Sequence, residues 1–246
     1  VDFLREVLHM QPAGSATLAL ALESSRTAPC MALLLRRSRL GTWNAYTTQQ
    51  MPMSFFSGES RQVEAADIKA LFAALPGFAW LIRIQRYDER YLPAMGAPLK
   101  GLLEGNDLHQ TVSIEVTGTF AEYWAARSAG LRRSIRSALA KLEARQLGVR
   151  LAVVRDAADM KEAIRQHGEL EAMSWKGAAG TSLAQADADR QFYERVMHGF
   201  AERSGAMSFQ LYLGGNLAAS ELTLVDSGTM VLLKTAYRED FAEFSP

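Results

Sequence analysis

Three apolar runs near the C-terminus constrain the fold most. SFQLYL (208–213), NLAASELTLV (216–225) and TMVLLKTAYRE (229–239) each have strand length, and only Gly214-Gly215 and Asp226-Ser227-Gly228 separate them. Links this short, and carrying glycine, join neighbouring antiparallel strands, because residues that accept positive φ close the turn without splaying the strands. The spacing predicts a three-stranded antiparallel meander over 206–239. Upstream, VRLAVVR (149–155) reads as a strand. A helix capped by Asp156 or Asp159 then runs to about Trp175, and a Gly- and Ala-rich loop spans Lys176 to Ala188. A second helix covers 189–203 until Ser204-Gly205 stops it. The order from 149 to 239 is strand, helix, helix, strand, strand, strand.

The first half is strand-rich. TLALALE (17–23), CMALLLRR (30–37), TWNAYTT (42–48), FAWLIRIQ (78–85) and QTVSIEV (110–116) have strand patterning, and AADIKALFAAL (65–75) has helical periodicity ended by Pro76-Gly77. The Pro- and Gly-bearing stretch 90–107 reads as a long loop. Thr119 with Glu122 forms a capping box ahead of FAEYWAARS.

Bulk properties exclude several classes. The chain has 246 residues with 27 Lys and Arg against 27 Asp and Glu, so it lacks the basic excess of a general nucleic-acid or acidic-membrane binder. The length fits one large domain or two modest ones. A single cysteine, Cys30, permits no internal disulfide and points to a reducing cytosol. The longest apolar runs are too short to span a bilayer. The opening VDFLREVLHM lacks a positive segment followed by an apolar core, so it does not read as a signal peptide. It has no initiator Met, and the chain stops directly after strand patterning, so both ends read as cut points.

Charge is uneven locally. RSAGLRRSIRSALAKLEARQL (127–147) carries Arg127, Arg132, Arg133, Arg136, Lys141 and Arg145 against one acid, Glu143. At about 100° per residue, Leu131, Ile135, Ala138, Leu139 and Leu142 share one face, predicted to be core, and Gly148 is placed to end the helix. Arg132, Arg133 and Arg136 near the helix start suit an anionic ligand, since guanidinium forks grip phosphate oxygens. A solvated face with long stems over apolar neighbours explains the same residues.

Other candidates are weaker. Trp175, at a helix end beside a flexible loop, suits a cleft wall or a core position equally. Glu221 and Lys234 interrupt apolar strands, which puts each either in solvent or beside a cleft, where acid–base work is open to them. Tyr237, at a strand end, is a candidate proton donor. No histidine pair has metal-ligand spacing, and neither G-x-S-x-G, G-x-G-x-x-G nor a Walker A motif occurs.

The strand-helix-helix-strand-strand-strand order resembles the opening of a GNAT acyltransferase domain. The segments F-A-E-Y-W…G-L-R-R-S-I-R-S-A-L-A-K-L-E-A, E-A-M-S-W-K-G…G-T-S-L and A-Y-R-E-D-F-A-E-F-S-P resemble GNAT proteins associated with cellulose and exopolysaccharide biosynthesis, the CelD-like type, which are related to Fem-type transferases. The resemblance implies an α+β fold with two GNAT-like halves: 1–117 as a diverged copy and 118–246 as the second, with mostly antiparallel sheets flanked by helices. It implies transfer of an acyl group from acyl-CoA, usually acetyl-CoA, to an amine or hydroxyl of a small acceptor such as a sugar nucleotide, without a metal. Glu221 and Tyr237 are then the candidates for proton transfer. Arg132, Arg133, Arg136, Trp175 and Lys234 are candidates for substrate and anion binding. The coenzyme's pyrophosphate is expected on the loop and helix N-terminus that follow the last strand; Ser245 and Pro246 open that loop, and the resemblance puts the phosphate-binding helix after Pro246. Two other functions stay open: a Fem-type aminoacyl-tRNA-dependent transferase, and a non-catalytic module on a degenerate GNAT fold.

Overall fold

In the computed structural model, residues 2–10, 17–23, 29–54, 56–58, 65–86, 112–174, 177 and 179–246 are described. The chain divides into two compact units, Gln11–Glu115 and Val1–Met10 with Val116–Pro246. Helix α1 (Asp2–His9) therefore belongs with the C-terminal part of the chain.

The unit Gln11–Glu115 is built on strands β1 (Thr17–Glu23), β2 (Pro29–Arg37), β3 (Thr42–Ala45), β4 (Phe56–Gly58), helix α2 (Ala65–Ala74) and strand β5 (Leu81–Arg83). The sheet order is β1-β2-β3-β5, with β4 also pairing β2. Among the described strands of this sheet, only β3 and β5 pair in parallel. A parallel pair needs a crossover, and α2 supplies it. Leu33, Leu35, Trp43 and Ala45 pack against Leu71 and Leu75. The turn before β3 needs glycine at 41: φ is 72°, and a Cβ there would lie 2.7 Å from the Phe78 ring.

The second unit adds α3 (Phe120–Ala125), α4 (Ala129–Ala144), β6 (Val149–Val154), α5 (Ala157–Ala172), α6 (Asp187–Ala201), β7 (Ala206–Leu213), β8 (Asn216–Asp226), β9 (Thr229–Tyr237) and a 3-10 helix (Glu239–Phe244). Strands β6-β7-β8-β9 form an antiparallel sheet in chain order. Both hairpins close in two residues at positive φ, Gly214 (57°) with Gly215 (84°) and Ser227 (48°) with Gly228 (76°). Such turns match the right-handed twist of the strands. One face of the sheet lies under α5 and α6, with Met160, Ile164, Phe192, Met197 and Leu222 fully buried. Helix α1 joins α6 through Phe3 edge-on to Phe192 (5.6 Å) and a Glu6–Arg195 ion pair (2.5 Å). A smaller cluster joins Leu142, Leu213, Ala218 and Phe244.

The mixed α+β class is the one expected, and so is the meander. The capping box is present: the Thr119 N–H donates to Glu122 Oε2 (2.7 Å), and the Glu122 N–H donates to Thr119 Oγ1 (3.3 Å). Several expectations need correction. Residues 112–116 form no strand, and only Leu81–Arg83 of 78–85 does. The loop read over 90–107 lies outside the described residues. Helix α4 ends at Ala144, and the left-handed residue after it is Gln146 (φ 54°), not Gly148. The bonds Gln146 N–H to Glu143 O and Leu147 N–H to Leu142 O complete a Schellman cap, which lets Leu147 pack inward. The stripe predicted as core on α4 is mostly not core: Leu131, Ile135 and Leu139 are 44%, 39% and 52% exposed, and only Leu142 is buried. Periodicity marks which face is apolar but does not say what covers it. No described helix is long and apolar enough to cross a membrane.

Candidate active site

A one-residue bulge decides where the central charge of β9 points. From the Ser227-Gly228 turn, β8 and β9 pair regularly as far as Thr223 with Leu232; Leu222 then pairs with Lys234, which leaves Leu233 as the extra residue. Side chains alternate between faces along a strand, so one extra residue reverses the phase. In an unbroken register Lys234 would stand opposite Glu221. With the bulge it stands opposite Leu222, on the face that α5 and α6 cover.

There Lys234 enters a polar cluster. Its ammonium donates to Glu171 Oε1 at 2.9 Å, and Glu171 Oε2 accepts the Leu183 N–H at 3.0 Å. One turn earlier on α5, His167 lies with Nε2 3.7 Å from Glu171 Oε1 and Nδ1 3.0 Å from Ser220 Oγ. The His167 and Glu171 side chains are fully buried, while the Lys234 side chain is 18% exposed and is the member through which the cluster meets solvent. The Tyr193 ring of α6 lies 5.4 Å from the ammonium. Burial pushes the Tyr193 hydroxyl up to about 12, and the negative charges of Asp189 and Glu171 add to the effect. Gly168 seats the loop: a Cβ there would come within 2.9 Å of the Ala184 nitrogen.

Ser220, His167 and Glu171 have the composition of a nucleophilic triad. None is more than 1% exposed, so Ser220 offers no attacking oxygen to a substrate, and the three form a core network. Sequence reasoning found Lys234 but missed Glu171, His167 and Ser220. A signal was present: Met160, Ile164, His167 and Glu171 follow one stripe of α5 at spacings of four, three and four, so two titratable residues stand on its buried face.

The other candidates distribute as follows. Glu221 pairs with Thr235 and Ala219 pairs with Tyr237, which puts Glu221 and Tyr237 on one face as diagonal neighbours. Glu221 is half-buried and Tyr237 is exposed, both on the face opposite Lys234. The sheet brings the first two together and separates them from the third. Ser245 follows the 3-10 helix in the left-handed region (φ 51°), and its N–H donates to Ala242 O at 3.0 Å; Pro246 follows it. Trp175 lies outside the described residues.

Most bases of the arginine-rich segment are engaged locally. The Arg132 guanidinium donates to the carbonyls of Trp124 (3.4 Å), Ala125 and Arg127 (2.8 Å), satisfying the open end of α3. Arg127 stacks over Tyr123, 4.3 Å from the ring centroid. Arg136 Nε donates to Arg132 O at 3.2 Å. Lys141 reaches the Glu243 carbonyl at 3.3 Å, and Arg145 grips the Glu243 carboxylate at 2.6 and 2.9 Å, tying α4 to the 3-10 helix. Arg133 is exposed.

Among the described residues, no group of three or more His, Cys, Asp or Glu has a metal-binding arrangement. No curated protein matches the chain. Residues 129–246 match the family model described as an acetyltransferase (GNAT) domain. The match opens at the first residue of α4 and takes in the four-stranded sheet, both covering helices and the 3-10 helix, so a GNAT-family acetyltransferase domain is present in this part of the chain.

Proposed function

We propose that the protein transfers an acetyl group from acetyl-CoA to an amine or hydroxyl of a small acceptor. The observation that carries this reading is the coincidence of the GNAT match over 129–246 with the β6-α5-α6-β7-β8-β9 unit. GNAT domains use acetyl-CoA. The finer assignment is a CelD-like enzyme of polysaccharide or cell-envelope biosynthesis, acting on a sugar or sugar nucleotide in the cytoplasm, with 1–117 as a diverged GNAT-like half. It is supported by the segments of 119–246 that resemble that type.

In this reading β9 is the strand beside the thioester, and each of its faces contributes. Glu221 and Tyr237 relay the acceptor's proton on one face, and Lys234 receives negative charge on the other. Arg133 and Arg136 meet anionic groups of donor or acceptor, Arg132 shapes their helix, and Trp175 belongs with the acceptor. Ser245 and Pro246 lead toward the coenzyme's phosphates.

Two measurements test the reading together. Calorimetric titration with acetyl-CoA is expected to give saturable binding. A thiol assay over a panel of amino sugars, amines and polyols is expected to show CoA release that depends on one acceptor class. Absence of binding by the folded protein overturns the reading.

A further inference from the structure

We propose that Glu171 is a positioning residue of the transfer site: it holds the Lys234 ammonium and the Leu183 segment in one arrangement, with Lys234 facing the reacting partners. This rests on the acyl-transfer reading above and adds a residue to it.

Three observations converge on Glu171. Its two carboxylate oxygens are divided between two elements, Oε1 to Lys234 of β9 and Oε2 to the Leu183 N–H of the segment between α5 and α6. It is fully buried, and a buried ion pair is a costly way to fill a core, since apolar residues of similar volume serve stability as well or better. The bulge at Leu233 gives up regular pairing and in return aims Lys234 at this carboxylate. Stability alone accounts for neither the buried pair nor the bulge.

The chemistry gives the arrangement a use. The acceptor nitrogen or oxygen attacks the thioester carbonyl carbon, the C–S bond breaks, and CoA leaves as a thiol carrying the proton the acceptor releases. Negative charge builds on the carbonyl oxygen between these events. An ammonium has three N–H donors, and the one bound to Glu171 orients the others. A donor fixed before the reaction stabilises such charge without reorganising during it.

The decisive variant is Glu171→Gln. Glutamine keeps the shape and a carbonyl oxygen for the Leu183 N–H but removes the charge that holds Lys234. With the acceptor found in the panel, kcat is expected to fall about 100-fold, while the calorimetric Kd for acetyl-CoA stays within about threefold of wild type. Glu171→Asp, which returns a carboxylate, is expected to recover part of kcat. Wild-type turnover by E171Q overturns the proposal. Should E171Q not fold, the double variant E171L/K234M, which leaves no lone buried charge, takes its place: folded with depressed kcat supports the proposal, and folded with wild-type kcat overturns it. Should the wild-type protein neither bind acetyl-CoA nor release CoA, the acyl-transfer reading fails, and amide exchange judges the holding role separately. Faster exchange in E171Q over residues 230–236, with the Leu183 amide still protected, supports it. Unchanged exchange overturns it.

Discussion

The Glu171 carboxylate and the Lys234 ammonium meet at 2.9 Å, from a helix and a strand 63 residues apart in sequence. The pair makes a sharp stability prediction. Glu171→Ala leaves a partly buried cation and the Leu183 N–H without their acceptor, and should cost about 3–5 kcal/mol. The double replacement E171L/K234M removes both charges and leaves only the Leu183 N–H without its acceptor, so it should cost less than E171A, about 1–3 kcal/mol. Urea denaturation of E171A and of the double variant measures this. An E171A protein as stable as wild type would mean that the pair contributes nothing to the fold.

Gly168 tests how tightly the loop sits on α5. Alanine is the better helix former by about 1 kcal/mol, so an open site would gain from the exchange. Here the added methyl would lie 2.9 Å from the Ala184 nitrogen and 3.1 Å from Leu183 Cβ. Gly168→Ala should therefore lose about 1–2 kcal/mol net. A raised melting temperature would show that the segment yields freely.

The arginines of α4 separate into two kinds. Arg132→Ala removes the donor to the α3 carbonyls and should cost about 1–2 kcal/mol. Arg133→Ala should change stability by less than about 0.5 kcal/mol. The pair R133A/R136A is expected to weaken acetyl-CoA binding at nearly unchanged stability. Calorimetry alongside thermal melts reads both quantities, and unaltered affinity in R133A/R136A would leave this helix without a binding role.

Tyr193 couples stability to alkaline pH. Its hydroxyl is pushed up to about 12 by burial first and by Asp189 and Glu171 second, while a free phenol titrates near 10. The folded value lies above the unfolded one, so the contribution is fully present below about pH 10 and is lost as pH rises toward about 12. Its size is about 3 kcal/mol. The urea stability of wild type relative to Tyr193→Phe should fall by about that amount across this window. A pH-independent difference would mean that the hydroxyl ionises as freely in the folded state as in the unfolded one.

The architecture was legible wherever local chemistry dictated it. Gly214-Gly215 and Ser227-Gly228 closed hairpins because their residues accept positive φ, and Thr119 capped α3 because its hydroxyl and Glu122 satisfy each other's backbone N–H groups. The site was less legible. Lys234 stood out as a charge in an apolar strand, but the face it takes depends on Leu233, and alternation counted along the sequence cannot reveal a bulge whose evidence lies in the partner strand. Glu171 was hidden in a helix of ordinary polarity, because its importance is set by a neighbour 63 residues away. Arg132 illustrates the reverse case. Its clustering suggested a ligand, whereas the carbonyls it binds belong to the end of the helix immediately before it and to the turn that follows that helix.

The bulge at Leu233 makes β9 a counting device. Between the Ser227-Gly228 turn and Lys234 the strand advances one residue more than its partner, and that single surplus determines which side of the sheet receives the charge. Substitutions along this stretch can therefore be judged by size and polarity, whereas an added residue shifts the phase of everything after it. A chain lengthened by one residue between Gly228 and Lys234, with no second bulge, would keep nearly the same composition and hydrophobicity, yet it would move the lysine opposite Glu221, bring Leu233 under α5 and leave the Glu171 carboxylate facing an aliphatic side chain.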